Sequence, residues 1–138
     1  MFDHCLYFNT SALARQLERE WAAAFQPFGL TPPQAFMLRA ILEQPGMLQR
    51  ELAQTLAIAR PTATRALDGL EARQLIERRS LQRDGRELEI HPTAQALAIK
   101  RALNEASGRV TARLKKVLGA NEFAAVVDKV RDTRSAIE

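Results

Sequence analysis

The 138-residue sequence predicts a mainly α-helical chain carrying one small β-hairpin. Three observations support this. Apolar residues recur at three-, four- and seven-residue steps over most of the chain, the period of a helix with one buried face. Between Leu75 and His91 the period drops to two, around the turn Gln82-Arg83-Asp84-Gly85. Punctuation comes from Pro27, Gly29, Pro32–Pro33, Pro45–Gly46, Pro61, Gly85, Pro92 and Gly119, with no internal repeat or Gly/Ser linker.

The first helix is expected from about Cys5 to Gln26, with Leu6, Leu13, Leu17, Trp21, Ala24 and Phe28 as its stripe. A second helix starts at Thr31, which can cap it. Pro32 suits the first turn and Gln34 stands at the reciprocal capping-box position. Its expected core residues are Phe36, Met37, Leu38, Ile41 and Leu42, and Pro45–Gly46 ends it. A short third helix spans Gln49 to Leu56 with Leu52, Ala53 and Leu56 inward. After Ala57-Ile58-Ala59, Pro61 opens a fourth helix that runs to about Gln74 and buries Ala63, Ala66, Leu67 and Leu70.

Leu75–Arg79 and Arg86–His91 then read as two strands; Glu87-Leu88-Glu89-Ile90 alternates as a half-buried antiparallel strand should. A long helix follows from Thr93 to about Leu118. Gly119-Ala120-Asn121 breaks it, and Asn121 is expected to cap a last helix bearing Phe123, Val126, Val127, Val130 and Ile137.

Composition excludes several classes. Hydrophobic residues at 46% and charged residues at 26% match globular averages, so the chain is neither disordered nor collagen-like. Aromatics are only 6%, leaving Leu, Ala, Ile and Val to fill the core. The net charge is +4, and sixteen of the twenty basic residues are Arg. The planar guanidinium fork suits phosphates and base edges, although GC-rich genomes produce the same bias. No apolar run approaches the ~20 residues of a membrane span. Met1–Tyr7 carries Asp3 and no basic cluster, so no signal peptide is expected and a cytoplasmic location is. The single Cys5 and two distant His residues offer neither an internal disulfide nor a zinc site, and no metal or cofactor is expected.

Two short helices joined by a turn and followed at once by a charged hairpin make a winged helix-turn-helix. With Ala63, Ala66, Leu67 and Leu70 inward, the fourth helix turns Arg60, Thr62, Thr64 and Arg65 outward near its start. Arg65 is the foremost candidate for a base edge, and Thr62 and Thr64 suit phosphates or thymine methyls. Arg83 on the hairpin is a further DNA contact, and Gln49 and Arg50 face the backbone from the preceding helix. The alternative is a solvated Arg-rich face, with Glu77, Glu87 and Glu89 neutralising the hairpin.

Over nearly its whole length the chain resembles the MarR family of bacterial transcription regulators. The resemblance rests on Gln49-Arg50-Glu51-Leu52-Ala53-Gln54-Thr55-Leu56, on the run from Arg60 to Glu71, and on Leu75-Ile76-Glu77-Arg78 with Arg83-Asp84-Gly85-Arg86, which matches the family's Asp-x-Arg wing signature. The resemblance implies that Arg86 reaches a minor groove, where A·T-rich sequence attracts Arg, and that Asp84 steadies it by pairing with a nearby Arg. It implies a homodimer joined through both termini. Phe2, Leu6, Phe8, Val126, Val127, Val130 and Ile137 exceed what one small core covers, unless they pack within the monomer. Two recognition helices would then meet a pseudo-palindromic duplex. The sequence departs from the family pattern at Met47-Leu48, where a polar cap is common, at Gln74, where a Gly often ends the recognition helix, at Gly69 within that helix, and at His91-Pro92-Thr93.

The implied organisation is an N-terminal dimerisation helix over 1–30, a winged helix-turn-helix over 31–92, and C-terminal dimerisation helices over 93–138. The leading function is a DNA-binding regulator, a repressor released by a small aromatic or phenolic ligand held between the first, second and fifth helices near the dimer interface. Trp21, Phe25, Phe36 and Arg39 could line that pocket and are equally good core or surface residues. A second reading makes Cys5 a redox sensor. His4-Cys5-Leu6-Tyr7-Phe8 looks like the start of the single-cysteine, organic-hydroperoxide-sensing branch, and places a thiol at the positive end of a helix. Against it, Ala35 and Phe36 stand where that branch has hydroxyls, and Tyr7 is the sole tyrosine. A third reading is a winged-helix protein-interaction module, which would have no reason to keep Arg60, Arg65 and Arg86. No catalytic set is visible, so an enzyme is not expected.

Overall fold

The computed structural model describes residues 1–81 and 84–138; of the side chains, those at 81 and 84–86 are outside the described set. Helix α1 spans Leu6–Phe25, and a 3-10 turn over Gln26–Phe28 leads to Gly29 in the left-handed region at φ 68°. Helix α2 covers Pro32–Glu43 behind the predicted capping box. Thr31 Oγ1 accepts from the Gln34 amide at 3.3 Å, and Gln34 Oε1 accepts from the Thr31 amide at 3.0 Å. Helices α3, Gln49–Leu56, and α4, Arg60–Ala72, form the helix-turn-helix. Ala57 makes the turn at φ 54°.

A three-stranded antiparallel sheet replaces the expected hairpin. Strand β3, Asp84–Pro92, lies between β2, Ile76–Leu81, and a two-residue β1, Met47–Leu48, which pairs Met47 with Ile90 and Leu48 with Glu89. A two-residue strand is too short to show a period, which is why Met47-Leu48 read only as a missing cap. Leu48 is indeed the α3 N-cap and has no side-chain bond to give. Helices α5, Ala94–Leu118, and α6, Ala120–Ile137, close the chain. Thr93 caps α5 by accepting from the Ala96 amide.

The core forms where α2, α4, β3 and α5 converge. Met37, Leu38, Ile41, Leu52, Leu67, Leu70, Ile90 and Leu103 are essentially sealed from solvent. At about 25 cal/mol per Å² of apolar surface removed from water, these aliphatic side chains supply the main driving force. The four residues expected to face inward from α4, Ala63, Ala66, Leu67 and Leu70, are all buried.

Several expectations are corrected. Phe36 is 37% exposed while Ala35 is sealed, because α2 buries the Ala35, Leu38, Ile41 and Leu42 line and Phe36 falls off it. Phe25, not Ala24, is the sealed residue of α1, and Phe28 belongs to the 3-10 turn. Helix α4 stops at Ala72, since Gln74 adopts φ 61° and sends the chain back into β2. Asn121 does not cap α6; Gly119 takes the N-cap place, with no side-chain bond, and Asn121 lies inside the helix. Leu88 is 38% exposed, whereas Ile90, two residues on along the same face, is buried in the core beneath the helices.

Candidate DNA-binding face

Helix α4 starts behind Ala59 with Pro61 in its first turn, and its leading amides have no side-chain cap. Arg60, Thr64 and Arg65 are exposed along that end and Thr62 is half-buried. Among the described residues Arg60 and Arg65 are in no ion pair. Thr64 is already engaged. Its hydroxyl donates to the Arg60 carbonyl at 3.0 Å and accepts from Gln49 Nε2 at 2.9 Å, which ties the first turn of α3 to the first turn of α4. Gln49 and Thr64 are thus linked across the two helices as well as lying on the exposed side.

Arg50, exposed at the start of α3, donates through Nε to Glu87 on β3 at 2.9 Å. Of the expected neutralising carboxylates, Glu77 holds Arg79 at 2.5 Å and Glu89 lies 3.0 Å from His91 Nε2. Arg83 lies outside the described residues, as do the side chains of Asp84 and Arg86. The backbone runs on as β3 through Asp84 and Arg86, so both positions belong to the wing.

Two arginines tie the recognition helix to its neighbours through pairings that sequence does not reveal, although Arg78 itself stands in the Leu75-Ile76-Glu77-Arg78 motif. Arg78, 21% exposed on β2, reaches Asp68 at 3.0 Å and Glu71 at 3.7 Å on α4, with its Nε enclosed. Arg73, just past α4, donates twice to the Gly29 carbonyl, from Nε at 3.0 Å and Nη2 at 2.6 Å. The recognition helix is thus tied to the wing by one arginine and to the α1–α2 connection by another. Pairings between residues this far apart leave no periodic trace.

Behind the DNA-binding face, Ser107 of α5 accepts from Trp21 Nε1 and from Arg39 Nη1, both at 3.0 Å, and Arg39 Nε donates to Asn104 Oδ1 at 2.8 Å. Arg39 also stacks over Phe36, 5.0 Å from the ring centroid. Burial lowers its pKa from the ordinary value. Next to this cluster Leu17, Trp21, Pro32, Phe36, Leu56 and Ile58 wall an apolar cavity of about 460 Å³ between α1, α2 and the helix-turn-helix. Trp21 and Phe36 line it, Phe25 is buried behind Phe36, edge-on at 5.9 Å, and Arg39 stands outside it. No residue of α5 is in its lining, so it is not the pocket expected between the first, second and fifth helices. Cys5 is exposed as the N-cap of α1, its Sγ accepting from the Phe8 amide at 3.5 Å.

Among the described residues no group of three or more His, Cys, Asp or Glu is placed to hold a metal ion, and no helix is long and apolar enough to cross a membrane.

A helix-turn-helix that turns Arg and Thr outward and carries an antiparallel wing defines a winged-helix DNA-binding regulator. Residues 28–87, a little under half of the chain, match the MarR family model, and over that segment the chain is similar to the MarR family of transcriptional regulators. Solved structures agree over most of the chain. The transcriptional repressor CouR bound to a 23-mer DNA duplex is 25% identical, with 96% of this chain and 94% of that one covered and a TM-score of 0.87. The PcaV regulator from Streptomyces coelicolor, in complex with its natural ligand, is 26% identical with all of both chains covered and a TM-score of 0.82. A MarR-type regulator from Listeria monocytogenes complexed with a 26-mer DNA shares the fold at 23% identity, covering 96% of this chain and 88% of that one, with a TM-score of 0.83. No curated relative matches the chain by sequence.

Proposed function

We propose that the protein is a homodimeric, sequence-specific DNA-binding repressor of the cytoplasm that a small aromatic ligand releases from a pseudo-palindromic operator. The observation that carries the DNA reading is the two-sidedness of α4, with Ala63, Ala66, Leu67 and Leu70 buried and Arg60, Thr64 and Arg65 exposed. In this reading α4 enters the major groove, Arg65 meets base edges, Arg60 and Thr62 meet phosphates, and Gln49 and Arg50 approach the backbone. Arg86 of the wing reaches the neighbouring minor groove with Asp84 steadying it, and Arg83 makes a further DNA contact. Residues 31–92 form the DNA-binding part, and 1–30 with 93–138 join the subunits.

The apolar cavity beside Trp21 and Phe36 supports the ligand reading, because an occupant there would press on α2 and the helix-turn-helix together. Anisotropy of a labelled duplex from upstream of the protein's own gene tests the proposal. Binding that falls with salt and exceeds binding to a scrambled duplex is the expected result. An absence of salt-sensitive binding to either would overturn it in favour of a protein-interaction module. Quenching of Trp21, the single tryptophan, by a panel of phenolic compounds should accompany release from DNA.

The exposed Cys5 thiol at the head of α1 favours a second signal, oxidation by an organic hydroperoxide. Peroxide that releases wild type but not Cys5→Ser establishes it. Equal binding by both proteins after peroxide leaves the cavity as the sensor.

A further inference from the structure

The surface that presents Arg60 and Arg65 also presents a carboxylate. Glu87 stands on β3 close to the point, between Ser80 and Leu81, where the β2–β3 ladder shifts register. Strand β1 ends at Leu48, so the first turn of α3 takes its place alongside β3 there. Arg50 in that turn donates to Glu87 at 2.9 Å, and the pair borders a recess of about 420 Å³ that Arg60 also lines. The side chains are 61% and 42% exposed, so water and salt reach the pair freely.

The position is at odds with the task of the face. A cation in the first turn of the helix before the recognition helix is well placed for the DNA backbone. Paired with Glu87, it offers phosphates a nearly neutral couple, and the carboxylate itself repels them. A pair this exposed opens readily, so a phosphate held close enough can draw Arg50 away.

We propose that Glu87 is an affinity- and specificity-setting residue that holds Arg50 out of non-specific phosphate contact. This rests on the DNA-binding reading. Random DNA is bound almost wholly through phosphate charge, so a sequestered cation weakens it directly. An operator positioned by base contacts at α4 brings one phosphate to Arg50 and displaces the carboxylate. Glu87 thereby widens the gap between operator and random duplex without touching a base.

The test uses the full-length protein, a random duplex and the duplex from upstream of its own gene, each titrated over a salt series. Glu87→Gln keeps the shape of the side chain and removes its charge. It should bind random duplex roughly three- to tenfold more tightly at low salt, with a salt slope steeper by about 0.9, the increment of one phosphate contact. The ratio of affinities for the two duplexes should fall. With Arg50→Ala in the same chain, most of the gain should vanish.

Unchanged or weaker binding of random duplex by Glu87→Gln would overturn the proposal, the weaker case assigning the carboxylate to positioning Arg50. A gain that persists undiminished with Arg50→Ala would also overturn it, since charge removal alone would then suffice. Wild-type protein without salt-sensitive binding to either duplex would defeat the DNA-binding reading itself, and that is seen before any variant is compared.

Discussion

Arg65 and Arg60 share the exposed side of α4, but Arg60 leads the helix and Arg65 stands more than one turn along it. The first position suits a phosphate and the second a base edge. Arg65→Ala should therefore relax base preference and cost about 1–3 kcal/mol on the preferred duplex, with far less loss on random DNA. Equal losses on both duplexes by anisotropy would reassign it to the backbone. Gln74 poses a backbone question instead. Its φ of 61° lets the Leu75 amide return to the Leu70 carbonyl at 3.0 Å and close α4, a conformation that strains any residue with a Cβ. Gln74→Gly should raise stability by roughly 0.5–1 kcal/mol in urea unfolding, without altering DNA affinity. That position was legible from the chain, because it lies where a helix-ending Gly is common. The Arg50–Glu87 and Arg73–Gly29 contacts were not, since each joins segments that only the folded chain brings together.

At the scale of elements, the helices were legible to within a residue or two wherever apolar period and caps coincide. Helix α2 shows both signals, in Thr31, Pro32 and Gln34 ahead of Leu38, Ile41 and Leu42. The losses came where one signal was missing: β1 is too short for a period, and α6 begins without a capping side chain. Gly69, an oddity in sequence, has an explanation in packing. A Cβ there would collide with Gln34 Nε2, whose amide is held in the capping box of α2. Alanine should normally stabilise a helix interior by up to ~1 kcal/mol over glycine. Gly69→Ala alone should give no gain or a loss, because Gln34 must leave its cap. In a Gln34→Ala background the same change should stabilise by about 1 kcal/mol in thermal melts. Gain in the single variant would show that Gln34 yields freely.

At the scale of the molecule, the helix-turn-helix has a sealed core while both termini lie open. Phe2, Leu6, Tyr7 and Phe8 at one end and Val126, Val127, Val130 and Ile137 at the other are all exposed, and no residue of α6 is buried. The sequence had flagged this surplus of apolar surface, though period alone could not say what covers it. A second copy is the proposed cover, and a carboxylate in its midst should prevent association. Val130→Glu should sediment as a monomer and bind the two-half-site duplex at least tenfold more weakly, because one recognition helix must then act alone. A dimer that survives this change would place the joint elsewhere. The bare α6 has a further consequence. Its eighteen residues pack on α5 but none is buried, so the last helix would gain order as the subunits meet. Melting temperature should then climb with protein concentration. Operator occupancy would rise with the square of subunit number when the protein is scarce, so that a twofold fall in its amount releases the DNA more sharply than the ligand-free affinity alone would suggest.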